Sequence, residues 1–259
     1  MKHLIYLFSI SILLVGCGTP LAPEEFISSP EAATLRSIVD RLITRDFASI
    51  EAQLDPALSQ SDIQSALEEV ANVIPSTPIT RTEAVDWSVF AATGGIRTVM
   101  VSAEYTFGQA QWIVASAQLT GEPDSYRILG FNLEPLPAPL SEIHAFTLSG
   151  KSTIHYLFLI AAVFALGLSL FALVSCARTQ GLRRKWLWLL FIAIGFVSFT
   201  INWSSGAVHI SPFMFRLLSA GFARQGWQGP WMLTFCIPVG ALWFMMRQRR
   251  AMQNGASAG

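Results

Sequence analysis

Few side chains in this 259-residue chain are both of a type and in a place to do chemistry. Proton transfer needs a carboxylate, imidazole or similar group tuned by its surroundings, and the carboxylates on strand-like stretches are Asp86 and Glu104. Both share the phase of Ser88, Ser102 and Thr106, the polar side of an alternating pattern, so they read as solvated face residues rather than as an acid or base. Trp87, Tyr105 and Trp112 are aromatic groups of the kind that line a pocket, although aromatic residues on strands more often fill a core. Arg41, Arg45 and Asp46 have the spacing of ordinary surface pairs on a helix. The four His, at positions 3, 144, 155 and 209, and the three Cys, at 17, 176 and 236, show none of the spacings that zinc requires. No phosphate-binding glycine loop and no G-x-S-x-G stretch occurs. The sequence therefore assigns no catalytic residue, no metal and no cofactor. Cys17 stands apart, because it closes an apolar run that follows Lys2.

The elements that carry these groups fall into two materials. All seventeen Asp and Glu lie between Glu24 and Glu142. Residues 18–150 set them against six Arg, a net charge of −11, whereas residues 151–259 contain ten Lys and Arg and no acid, a net +10. Such an acidic first half would repel nucleic acid, whose affinity comes mainly from cations on phosphates.

Residues 1–16 have a short basic start and an apolar run from Leu4 to Val15, the pattern of a signal peptide and too short to span a bilayer comfortably. Leu14-Val15-Gly16-Cys17 resembles the bacterial lipobox, in which the cysteine receives a diacylglyceryl thioether and becomes the mature N-terminus. The resemblance implies lipid attachment at Cys17. Residues 17–28, with prolines and acids and no apolar face, read as a tether.

Residues 29–135 read as one α+β domain. Ser29-Pro30-Glu31 opens a helix, and Leu35, Ile38, Val39, Leu42 and Ile43 form its apolar face. A short continuation through Phe47, Ile50 and Leu54 ends at Asp55-Pro56. A further helix begins near Ser61, with Gln64 as in a capping box. After Pro78 the period becomes 2, and four strands are expected, with Thr93-Gly94-Gly95 as the first hairpin turn. Helices followed by a curved four-stranded antiparallel sheet is an α+β order. That order, with RLITRDFASIEAQLDPALS before the strands and YRILGFNLEPL at their end, resembles the nuclear transport factor 2-like (SnoaL-like) cone superfamily. The resemblance implies a fold with an apolar pocket. It does not choose among the isomerases, dehydratases, cyclases and non-catalytic binding modules of that superfamily.

Residues 136–151, rich in proline, read as a stiff connector. Three transmembrane helices are expected after it, over 152–177, 186–203 and 229–246, the last bent at Pro238. Residues 178–185, with Arg178, Arg183, Arg184 and Lys185, form a cytoplasmic loop by the positive-inside rule, and the basic tail 247–259 lies on the same side. The loop 204–228 is then external, and Ile210–Phe222 within it reads as an interfacial helix, with a re-entrant or spanning segment or a simple loop as the alternatives. His155 and Asn202, the most polar groups of the spans, read as interface hydrogen-bonding groups near the outer ends. Export of Cys17 and the basic-inside pattern agree on one topology, which puts the acidic domain in the periplasm of a bacterial inner membrane.

The function expected is that of a non-enzymatic membrane lipoprotein whose exported domain binds a partner protein or an apolar ligand beside the membrane. The alternative is a cone-type enzyme acting on a lipid or other apolar substrate, which would need Asp86 or Glu104 inside a hydrophobic cavity. Transport would need ionisable groups within the spans, and none of the three contains Asp, Glu, Lys or Arg.

Overall fold

A computed structural model describes residues 22–58, 63–91, 97–122 and 125–256. The leader with Cys17, the Ser61 cap and the Thr93-Gly94-Gly95 turn lie outside the described residues. The chain divides into two compact units, Met1–Pro135 and Leu136–Gly259.

In the first unit, helices α1 (Pro23–Ile27), α2 (Pro30–Thr44) and α3 (Phe47–Glu51), a 3-10 turn (Pro56–Leu58) and α4 (Ile63–Asn72) precede four strands. The strands are β1 (Ile79–Ala91), β2 (Arg97–Phe107), β3 (Gln111–Thr120) and β4 (Arg127–Leu136), and they lie in the sheet in chain order. α1 falls in the stretch expected to be a tether, and it is held because Phe26 is fully buried. α2 starts where Ser29 Oγ accepts the Ala32 amide at 3.2 Å and Pro30 takes the first turn, a cap that contributes about 1 kcal/mol. It stops at Arg45, in the left-handed region at φ 57°, and the next amide, of Asp46, reaches back to Arg41 O at 2.9 Å. Its buried face is Leu35, Ile38, Val39 and Leu42, laid on the inward phase of β2, Val99, Val101, Ala103, Tyr105 and Phe107.

The other phase of β2 departs from expectation. Glu104 is only 2% exposed and Ser102 is buried as well, so the alternation does not mark a solvated face. β2 is an inner strand with Glu104 opposite Glu83 on β1 and Val114 on β3, and Ser102 Oγ lies 2.7 Å from Ser116 Oγ. Neighbours on both sides shield what a period-2 pattern alone would leave to water.

The second unit overturns the expected fold class, an α+β domain followed by three transmembrane helices. Among the described residues one helix, α6 (Thr153–Arg178), is long and apolar enough to cross a membrane. It follows a short helix, α5 (Leu140–Ile143). The stretch 186–203 divides into α7 (Lys185–Ala193) and strand β5 (Ile194–Asn202), and 229–246 into strand β8 (Trp231–Ile237) and the start of α8 (Val239–Ala256). The stretch 204–228 holds strands β6 (Val208–Leu217) and β7 (Ala220–Arg224) in place of an interfacial helix. The four strands form a second sheet in the order β6-β5-β8-β7, antiparallel at every junction.

The physical reasons lie in particular residues. Ile194, Val197, Thr200 and Ile201 are β-branched and stiff in a helix. Gly195 marks the switch: a Cβ there would stand 2.6 Å from Cys236 Cβ and 2.8 Å from Ser219, a closeness only glycine permits. Pro238 stops β8 because it has no amide to donate, and α8 begins at the next residue. Gly240 then lets α8 cross α7 at backbone contact, since a Cβ would stand 2.0 Å from Phe191 O.

α6 is the spine of this unit. His155, Phe158, Ala162, Ala165, Ser169, Ala172 and Cys176, spaced alternately by three and four, form its buried seam. Phe158 and Ala162 pack with Ile201, Trp203 and Leu233 of the sheet side, and Ala172 and Cys176 pack with Ile192, Ala241 and Phe244 of α7 and α8. The opposite face shows Leu157, Ile160, Val163, Phe164 and Phe171, each at least 60% exposed.

Candidate functional site

The first unit carries an apolar cleft. Its frame is a short parallel bridge between Leu54 and Ile128, in which the Asp55 amide donates to Ile128 O and the Ile128 amide to Gln53 O, both at 2.9 Å. That bridge ties the segment entering the 3-10 turn to β4. α4 lies alongside and turns Ile63, Ala66, Leu67 and Val70 toward the opening, the i, i+3, i+4, i+7 set of one helical face. Leu54 and Leu58 close one side, and Gly130 and Phe131 of β4 form the floor. The cleft holds about 380 Å³, and among the described residues its lining is apolar throughout. A Cβ built on Gly130 meets nothing within 4 Å, so the space continues over the strand backbone. A lining of this kind suits an apolar chain or side chain.

The sequence-predicted pocket aromatics are elsewhere. Tyr105 is 1% exposed, packed under α2 with the Arg36 guanidinium 5.7 Å from its ring centre, and burial raises its phenol far above the ordinary value. Trp87 pairs with Val101 and so shares Tyr105's face, half-buried, its indole Nε1 shielded without a hydrogen-bond partner. Trp112 pairs with Thr106 and lies on the opposite face. The three do not line the cleft. Asp86 is half-buried opposite Ser102, and neither it nor Glu104 is among the cleft residues.

A polar cluster that local sequence could not reveal joins three elements. Glu31, in the first turn of α2, is 4% exposed, and its Oε1 accepts from Arg97 Nη2 at 2.9 Å and from Tyr126 OH at 2.7 Å. Burial, then the bond to Glu31, pushes the Tyr126 phenol up to about 12. The partners are 66 and 95 residues from Glu31 along the chain. Glu31 thus takes donors from two distant segments, and the cluster pins the helix start to the beginnings of β2 and β4.

In the second unit His155 and Asn202 build structure. His155 Nδ1 lies 2.9 Å from Ser152 Oγ, and its ring meets Trp203 edge-on at 5.2 Å, leaving Nε2 buried without a partner. Asn202 Oδ1 accepts the amides of Ser204 and Ser205, which shapes the turn into β6. Nearby, His144 Nδ1 lies 2.9 Å from Ser204 Oγ, and burial, with the charge of Arg224, holds its imidazole below the usual value. Cys176 and Cys236 are buried and unbridged. No group of three or more His, Cys, Asp or Glu placed to hold a metal ion occurs among the described residues.

Compared with known protein families, with curated proteins and with solved structures, the chain matches none.

Proposed function

We propose that this chain is a non-enzymatic membrane protein whose first unit binds an apolar ligand, or an apolar segment of a partner protein, in the cleft between α4 and β4. The observation that carries the reading is the lining: eight apolar residues, among those described, around about 380 Å³, with open space over Gly130. Membrane attachment is double in this reading, through a lipid on Cys17 and through α6. The unit is exported, and the arginine-rich ends of α6, α7 and α8 stay on the cytoplasmic side of a bacterial inner membrane, in keeping with the basic-inside rule. Support for a lipid-facing second unit comes from the outward face of α6, whose exposed Leu157, Ile160, Val163, Phe164 and Phe171 exceed what a water-facing helix tolerates.

A photo-crosslinking residue in place of Phe131, in the full chain in native membranes, tests it. The expected result is a discrete lipid or protein adduct that disappears in Gly130→Leu. An adduct pattern identical to that from exposed Gln118 overturns the reading.

A second reading, a cone-type enzyme acting on an apolar substrate with Glu104 as its acid or base, draws on the burial of Glu104, which lies outside the cleft and would need a second opening to substrate. It requires turnover of such a substrate that Glu104→Gln abolishes, and no effect of Glu104→Gln beyond that of Gly130→Leu removes it.

A further inference from the structure

Residues 151–259 contain no Asp or Glu, and six of their eight arginines lie in or beside α6, α7 and α8, with Arg216 and Arg224 on β6 and β7. Arg183 and Arg184 line a depression of about 310 Å³ with Leu187, Trp188 and Phe191 of α7. A second depression, of about 170 Å³, is lined by Trp243, Met246, Arg247 and Arg250 of α8. The two are joined through one contact: Arg247 stacks its guanidinium 5.0 Å from the centre of the Trp188 ring. Trp188 is held from below by Phe244, at 5.8 Å between ring centres. Each hollow thus has an apolar wall running up α7 or α8 and a guanidinium rim, and residues 151–259 supply no Asp or Glu to neutralise the rim.

From this geometry we infer that the α7–α8 end of the second unit is a binding site for an anionic phospholipid. Arg183, Arg184, Arg247 and Arg250 hold the phosphate-bearing headgroup, since guanidinium forks match phosphate oxygens. Leu187, Phe191, Trp243 and Met246 hold the acyl chain. Charge complementarity selects the occupant: a zwitterionic lipid offers the rim no net charge, whereas an anionic one supplies what the sequence withholds. The inference rests on the membrane reading of this unit, so the test separates the two.

The full chain is reconstituted into phosphatidylcholine vesicles containing a minor fraction of phosphatidylglycerol. One or the other lipid carries brominated acyl chains, which quench tryptophan on contact. The expected result is stronger quenching by brominated phosphatidylglycerol than by brominated phosphatidylcholine at equal mole fraction. Arg183→Gln with Arg250→Gln lowers that preference about tenfold, and Arg183→Lys with Arg250→Lys restores only part of it, because an ammonium returns the charge and not the fork. Equal quenching by the two lipids in a chain that floats with the vesicles overturns the site and leaves the membrane reading standing. A chain that does not float overturns both. Loss of the preference on adding inorganic phosphate, at constant ionic strength, overturns a lipid site in favour of a free-anion site.

Discussion

Tyr126 donates its hydroxyl, at 2.7 Å, to the carboxylate oxygen of Glu31 that also receives Arg97, so one buried oxygen joins residues 95 apart in sequence. Tyr126→Phe removes one donor and costs about 1–2 kcal/mol of stability in the first unit. Glu31→Ala costs more, because it strands a cation and a hydroxyl together, although Arg97 at 39% side-chain exposure recovers part of its hydration. The phenol adds a pH signature. Its folded value, about 12, lies above the ordinary 10.0, so the folded state keeps a proton that the unfolded state gives up. The stabilisation is complete below pH 10.0 and fades as pH rises toward about 12. Thermal melts of wild type against Tyr126→Phe across that window check it, and the wild type should lose its advantage on the alkaline side.

Gly130→Leu should fill the cleft without unfolding the unit. Its Cβ has open space, and a leucine suits a strand better than glycine. Melting should be unchanged or slightly raised, whereas adducts from the Phe131 position should vanish. A fall in stability of more than about 1 kcal/mol means that the space is not free.

The two faces of α6 should respond oppositely to the same kind of change. Ala172 is 0% exposed between α7 and α8, so Ala172→Leu overpacks the seam and costs about 1–3 kcal/mol. Val163 is 63% exposed, and Val163→Leu should stay within about 0.5 kcal/mol. Unfolding of the reconstituted chain by tryptophan fluorescence compares them.

Thiol counting tests the leader. Cys176 and Cys236 are buried and free, so both resist a maleimide in the native chain and react after denaturation. With Cys17 in a thioether the denatured chain titrates two thiols, and with Cys17 unmodified it titrates three. Labelled palmitate should enter the wild type and not Cys17→Ala.

What the sequence discloses depends on the distance over which each residue's role is set. Ser29 caps α2 through a neighbour three residues on, and Val99, Val101, Ala103, Tyr105 and Phe107 line one face by simple alternation, so both are readable locally. The cleft is half readable: Ile63, Leu67 and Val70 show a helical face, but nothing local says that Gly130 lies beneath it. Glu31 reads as a helix-start acid, and its burial depends on Arg97 and Tyr126 arriving from distant strands. The two misread spans fail for another reason. An unbroken apolar run carries no period, so length argues for a helix, while Gly195, the β-branched residues around it and Pro238 carry the opposing signal. Pro212 belongs with them, since a proline in a strand fits only at a sheet's edge, and β6 is an edge strand.

The strand order β6-β5-β8-β7 leaves two rims, each with a row of amides and carbonyls turned outward. An acyl chain can neither give nor take a hydrogen bond, so however greasy the side chains of this sheet, oil alone cannot solvate its borders. Those borders must meet water, headgroups or the backbone of another strand, and that demand, more than hydropathy, sets how deep the second unit can sink.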